Sequence, residues 1–408
     1  MGLIVGSANT AIVVFVALLE SGEVAALPFA PIAQVFVLPV LFGLLSQTIS
    51  YRRAARRIAA WHQSKSPKPK EEIMKIPAII ALAIGAFALL TFSSFSVPWA
   101  EQAPGAIAEG FPVPPLHPGG AVLETRELAP GVYALVSNKP PTDNSGFVVG
   151  ENGVLVIDAH IDDAMARQIQ ARVHEAPDKP ILYLVNTNFH GDHTFGNYAF
   201  PEETQIIAHR LTAERMENFE HEKILMLAAV DNDAAILDGT KLRLPDITFE
   251  ETMQIDLGGR VVELYHFGAG NTPGDTVLYV PESGAAWTGN LVLGEAIIPF
   301  LIEGGAVDYL ATLTRFSLTD DARTIIPGHA MPTTGAALGW YLAYLNELVD
   351  MARGAQLHGD TLEQTLNGNE LPAAYVIPAE SLLAAFGEFN TALHRCNLRV
   401  TFDEFSGG

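Results

Sequence analysis

The chain has 408 residues, enough for a core domain and a second element besides. It carries 24 basic and 46 acidic residues, a net charge of −22, and after residue 100 the imbalance grows to 16 basic against 42 acidic. So acidic a segment lacks the clustered Lys and Arg that phosphate contacts need, which argues against a nucleic-acid partner, and the single cysteine, Cys396, excludes an intramolecular disulfide framework or a Cys-based zinc ribbon.

Residues 1–98 read as a membrane region. Leu3–Leu19, Leu27–Ile49 and Ile76–Pro98 are apolar and free of charged side chains. The second and third are long enough to cross a hydrocarbon layer about 30 Å thick; the first is marginal. All eight basic residues of this region lie in Tyr51–Lys75, a loop that the positive-inside rule keeps cytoplasmic. An integral membrane protein with its remaining residues on the extracytoplasmic side is the expectation. Residues 99–120 then hold five prolines, Pro104, Pro112, Pro114, Pro115 and Pro118, with Gly105, Gly110, Gly119 and Gly120, and read as a stiff, extended linker.

From Ala121 the pattern is one of short strands. Val122–Leu128 and Val132–Ser137 flank a Pro130-Gly131 turn, and Gly146–Val149 and Val154–Asp158 flank Glu151-Asn152-Gly153. A helix over Asp162–Ala176 follows, then a strand Ile181–Val185, a strand Thr204–Ala208 and a helix Leu211–Leu227. Residues 228–245 are irregular and are expected to border the site. Met253–Leu257, Arg260–His266, Asp275–Val280 and Ala285–Trp287 are strands, Val307–Phe316 a helix, Thr324–Pro327 a last strand. Two runs of hairpins, each followed by a helix and strands, predict two similar halves packed sheet on sheet with helices outside. Thr333–Arg353 and Ala379–Arg395 predict helices of a C-terminal extension, residues 332–408.

Chemistry-bearing residues gather where strands end. Ile181–Val185 runs into Asn188-Phe189-His190-Gly191-Asp192-His193. Gly270-Asn271-Thr272-Pro273-Gly274-Asp275 follows the strand that ends at His266, Gly289-Asn290 follows Trp287-Thr288, and Pro327-Gly328-His329 closes the last strand. Imidazoles and carboxylates at such spacing suit a metal at one sheet edge. The other histidines, His160, His174, His209, His221, His266, His358 and His394, are scattered and read as core or surface rings.

The order and spacing of these four motifs, over residues 121–331, resemble the metallo-β-lactamase fold superfamily. That resemblance implies an α/β chain whose domain is a four-layer αβ/βα sandwich with up to two zinc ions at one edge, and a structural role for Asp158 and Asp275. It implies a first metal site at Asn188, His190 and Asn271, where two imidazoles have become amides, and a second at Asp192, His193 and His329, where all three ligands are present. The bridging carboxylate of many members falls at Asn290, again an amide. An amide oxygen is a weak donor to zinc, whereas two imidazoles and a carboxylate leave a fourth position for water. One zinc is therefore expected at Asp192, His193 and His329, with the second site doubtful. His190 and Asp192 are the candidate catalytic residues, His190 as general base or as support for a ligand. Asn188, Asn271 and Asn290 are candidate donors to a substrate oxygen. Two functions suit this inventory: a membrane-anchored hydrolase of a small-molecule ester, thioester, lactone or amide, in which metal-bound hydroxide attacks the carbonyl, or an impaired enzyme that binds or regulates on the same fold.

Overall fold

The computed structural model of the protein describes residues 111–406, apart from 117, 176–178, 295, 319–321, 379, 382–383 and 385. The three apolar stretches before residue 99 lie outside the described residues. Among the described residues no helix is long and apolar enough to cross a membrane.

The first sheet has seven strands in chain order. They are β1 (Leu123–Ala129), β2 (Val132–Ser137), β3 (Ser145–Val149), β4 (Val154–Ile157), β5 (Ile181–Val185), β6 (Gln205–His209) and β7 (Ile247–Phe249). β1 to β4 run antiparallel and β4 to β7 parallel. The second sheet has the order β12-β11-β10-β9-β8, from β8 (Thr252–Asp256), β9 (Val261–Tyr265), β10 (Val277–Val280), β11 (Ala285–Gly289) and β12 (Thr324–Pro327). Only its β11–β12 pair is parallel.

Alternation along the strands divides the core into layers. Val132, Val148, Leu155 and Ile207 of the first sheet meet Ile255, Val262, Leu278 and Trp287 of the second. Leu135, Phe147, Val156 and Leu184 face the other way and pack on Ile169 and Val173 of α1 (Asp163–Glu175). The outer face of the second sheet is covered by α5 (Ala306–Ser317), α6 (Ala336–His358) and α8 (Phe386–Phe405), with Tyr309, Tyr341 and Tyr344 fully buried. The result is helix, sheet, sheet, helix. At the sheet–sheet seam the Trp287 indole donates to the Ser145 carbonyl at 3.1 Å, over Gly146, where a Cβ would stand 2.4 Å from the indole nitrogen.

Several elements differ from the sequence expectation. The predicted helix 211–227 is two helices, α3 (Arg210–Met216) and α4 (Phe219–Ala229), because the chain breaks at Glu217-Asn218. The break lets α4 turn its own apolar face inward. The two halves are unequal, since β7 adds a parallel strand to the first sheet at a stretch with too little alternation to read. The extension contains a further helix, α7 (Leu362–Gly368), started by a Thr361–Gln364 capping box. The described linker residues lie on the domain rather than standing off it: Leu116 is buried and its amide donates to the Ala229 carbonyl at 2.8 Å, and Phe111 packs edge-on against Phe300.

Candidate metal centre

Strand direction brings the motifs to one edge. β4 and β5 are parallel, so Asp158 and the segment after Val185 leave the sheet on the same side. β3 is antiparallel to β4, with Gly146 opposite Ile157, so the β2–β3 loop also ends there. β11 and β12 place Asn290 and His329 at the corresponding edge of the second sheet. The short helix α2 (Gly191–Thr194) turns the chain immediately after His190 and buries Asp192 and His193. Gly191 is required here, because a Cβ would meet the Met226 side chain at 2.5 Å.

Four side chains converge: Asp143, Asp192, His193 and His329 each offer one ligand atom, all within 4.8 Å of one another, and all four are buried. Both rings are held from behind. His193 Nδ1 lies 2.9 Å from Asp158 Oδ2, and His329 Nδ1 lies 2.7 Å from the Pro141 carbonyl. A carbonyl only accepts, so Nδ1 of His329 carries the proton and its Nε2, 3.6 Å from Asp192 Oδ2, is left as the ligand atom. His193 Nε2 also faces the cluster, 3.8 Å from Asp192 Oδ2 and 3.5 Å from Asp143 Oδ1, but it donates to Asn290 Oδ1 at 3.0 Å, a proton that a bound metal would displace. This is the outer-shell pattern that fixes the tautomer of metal-binding histidines.

The donor set fits a divalent cation. Asp143 Oδ1 and Asp192 Oδ1 are buried and accept no hydrogen bond, a costly state for a carboxylate unless a cation lies against it. Burial, and then the neighbouring Asp192 carboxylate, push Asp143 well above the usual carboxylate range. Burial works against ionising Asp192, but His193, His329 and His190 more than offset it and hold its pKa below the usual value. Burial also opposes charge on His193, yet Asp158 and Asp192 hold its pKa well above 6.5. His329, by contrast, is pushed down by burial to about 4, so it is neutral and ready to ligate at pH 7.

The sequence had placed Asp192, His193 and His329 together and had missed Asp143, which lies between two predicted strands without a motif. The available signal was the hairpin itself: an antiparallel partner of β4 must begin where β4 ends. The other set is dispersed in purpose. Asn188 Oδ1 accepts from the His190 amide at 2.9 Å and braces the turn, while its Nδ2 lies 3.5 Å from Thr187 Oγ1. His190 Nδ1 lies 3.1 Å from Glu222 Oε1, which also accepts from the Gly191 amide at 3.0 Å. Burial opposes charge on His190, but Glu222 raises its pKa above 6.5. Glu222 was also missed. Its signal is a carboxylate on the buried face of α4, in line with Leu225, Met226 and Ala229. His190 and Glu222 line a pocket with Phe189, Arg215, Ile302 and Glu303, beside the four-residue cluster but not lined by it. Asn271 Oδ1 is buried without a partner, and its Nδ2 reaches the Phe300 carbonyl at 3.4 Å.

Asp275 accepts from the Thr272 amide at 3.0 Å and hydroxyl at 2.7 Å, bracing its turn, and burial raises it to about 6. Of the scattered histidines, His160 is at the site after all: it is buried, adopts φ 67°, and its Nε2 lies 3.3 Å from the Asp143 carbonyl.

Residues 140–329 match the family model described as the Metallo-beta-lactamase superfamily. The chain is 29% identical over 137 residues to the 2,4-dinitroanisole O-demethylase subunit alpha of Nocardioides sp. (strain JS1661), a match that covers 33% of this chain and 37% of that one, so it spans little over a third of that relative. Among solved structures, a metallo-beta-lactamase from Pontibacter korlensis is 19% identical, with a TM-score of 0.43, covering 55% of this chain and 99% of that one. One from Erythrobacter litoralis is 21% identical, with a TM-score of 0.43, covering 55% and 96%.

Proposed function

From the membership of residues 140–329 in the metallo-beta-lactamase superfamily, we propose that the chain is a metal-dependent hydrolase whose one zinc is held at Asp192, His193 and His329. The observation that carries this reading is a pair of imidazoles, each tied off at Nδ1, converging with orphaned carboxylate oxygens in a buried cluster. A zinc ion so held supplies Lewis-acid polarisation of a carbonyl oxygen and lowers the pKa of a water molecule.

The chain's own residues do the rest. Asp158 and the Pro141 carbonyl fix the two rings. His190, with its Nδ1 held by Glu222, has a buried Nε2 without a partner and lines the adjacent pocket, where it can deliver a proton to a leaving group. Phe189 and Ile302 give that pocket apolar walls beside the charged Arg215, Glu222 and Glu303. The substrate class proposed is a small ester, thioester, lactone or amide. The apolar stretches before residue 99 support anchoring in a membrane, with the domain on the extracytoplasmic side.

The test uses the full chain in detergent: metal analysis, and turnover of chromogenic esters, thioesters, lactones and lactams. An electron-poor aryl methyl ether joins the panel because the similar Nocardioides subunit is named for such a substrate. One zinc per chain with turnover, both lost in His329→Ala, supports the hydrolase. A well-folded chain that is metal-free and inert overturns it in favour of a binding protein on the same fold, the reading that the amides at 188, 271 and 290 favour. Protease accessibility in sealed vesicles checks the topology.

A further inference from the structure

We propose that Asp143 is a direct ligand of the same metal, supplying from the β2–β3 loop the carboxylate that position 290 lacks. The ion is then held by two carboxylates and two imidazoles. This rests on the reading of the cluster as a metal centre and adds to it a ligand from outside the four strand-end motifs.

The first argument is placement. Asp143 Oδ1 stands 3.5 Å from His193 Nε2 and 3.3 Å from His329 Nδ1, the ring nitrogen that also faces the Pro141 carbonyl, and Asp143 belongs to the same group of mutually close ligand-bearing residues as Asp192. The second is an unmet need: that oxygen is buried, and no hydrogen bond reaches it. Such a group in a folded core calls for a cation or a donor.

The third is how firmly the loop is built for the purpose. The neighbouring Asn144 staples it to the segment that carries His329. Its Nδ2 donates to the Pro327 carbonyl at 2.8 Å and the Ala330 carbonyl at 2.6 Å, its Oδ1 accepts from the Ser137 amide at 3.0 Å, and its own amide donates to the Gly328 carbonyl at 2.8 Å. Asp143 and His329 therefore move as one unit, as two ligands of one ion must.

The fourth is charge. Two carboxylates balance a divalent ion in a place from which solvent is excluded. A third carboxylate at position 290, whose amide oxygen already lies 3.0 Å from His193 Nε2, would overload it. The neutral amide at 290 and the carboxylate at 143 together keep the number of carboxylates at the cluster to two. The donor set is oxygen and nitrogen throughout, which suits Zn²⁺, and suits Mn²⁺ better than a one-carboxylate site does.

The experiment strips the full chain with a chelator and titrates it with Zn²⁺ and Mn²⁺ by equilibrium dialysis. The wild type is expected to take one ion. Asp143→Asn, nearly the same shape, is expected to weaken both ions tenfold or more, and Mn²⁺ by the larger factor because it gains less from imidazole. Adding Asn290→Asp to that variant is expected to recover at least tenfold. A second measurement does not depend on affinity: the visible spectrum of the Co²⁺ form is expected to be that of a five-coordinate ion in the wild type and of a four-coordinate ion in Asp143→Asn. If Asp143→Asn melts normally, binds both ions like the wild type and leaves the Co²⁺ spectrum unchanged, Asp143 is no ligand, while the metal centre stands. If the wild type takes up neither ion, both proposals fall.

Discussion

Asp158 and His193 are joined at 2.9 Å, carboxylate oxygen to ring Nδ1, across the ends of two neighbouring parallel strands. The same carboxylate accepts from the Thr187 amide at 2.8 Å and hydroxyl at 2.7 Å, so it orients both the ring and the start of the loop that carries it. Asp158 itself sits at φ 57°, a left-handed conformation that Asp and Asn tolerate better than most residues.

Asp158→Asn therefore keeps the backbone and tests the anchor alone. We expect metal affinity to fall about tenfold to a hundredfold, the usual cost of losing such support. We also expect unfolding at about 1–3 kcal/mol lower stability, for buried hydrogen bonds lost or inverted. Equilibrium dialysis and denaturant titration measure the two. Unchanged metal binding would show that the ring needs no support.

Glu222→Gln separates the two halves of the loop. Glu222 holds His190 and the Gly191 amide but is not part of the four-residue cluster. The expected outcome is metal binding within a few-fold of the wild type, with turnover reduced by about a hundredfold if His190 delivers a proton. Equal turnover in the variant would remove His190 from the chemistry.

Restoring imidazoles tests how the first site was lost. Asn188→His with Asn271→His places the side chains there that the family resemblance calls for. Asn188 presently braces its own turn, while Asn271 leaves Oδ1 unpartnered. We expect a second, weaker ion in the double variant and none in Asn188→His alone, read by metal analysis. A single ion in the double variant would mean that His190 stays committed to Glu222.

The C-terminal extension holds the segment that follows Asn290. Asn397 Nδ2 donates to the Pro299 carbonyl at 2.7 Å, Asn390 Nδ2 to the Ala296 carbonyl at 2.7 Å, and the Tyr341 hydroxyl to the Ile297 carbonyl at 2.8 Å. Asn397→Leu strands a buried carbonyl and the Leu301 amide that Asn397 Oδ1 accepts from. A loss of about 1–3 kcal/mol is expected, with faster hydrogen exchange over 296–301 and no change over 181–185. Exchange unchanged in both segments would deny the extension this role.

Acid stability follows from a pair of rings away from the metal. His209 and His266 stack with centroids 3.9 Å apart. Burial, then the neighbouring His266, depress His209 to about 4, and burial lowers His266 also. The unfolded chain binds the extra proton between about 6.5 and about 4, so stability is full above the upper value and falls as pH drops through that window. From pH 7 to pH 5, His209 alone accounts for about 2 kcal/mol at most, less where water reaches the ring. Denaturant midpoints at the two pH values, compared with His209→Gln, measure it; an equal fall in the variant would place the acid sensitivity elsewhere.

The sequence by itself determined the strand pattern apart from β7, the alternation that builds two sheets and, through the family resemblance, three of the four clustered side chains. Asp192, His193 and His329 were legible because the resemblance to the metallo-β-lactamase superfamily implies a ligand set at those positions, in the segments that follow β5 and β12. Asp143, Glu222 and His160 were not, because their roles depend on elements distant in the chain. Asp143 reaches the site through the antiparallel register of β3 on β4, and Glu222 through the break at Glu217-Asn218 that turns α4 inward. His160 reaches it through a turn after β4 in which both Asp158 and His160 adopt positive φ. Residue type and spacing report what a side chain can ligate. Which carboxylate faces which imidazole is set by strand direction and helix packing, and these exist only once the sheets have formed.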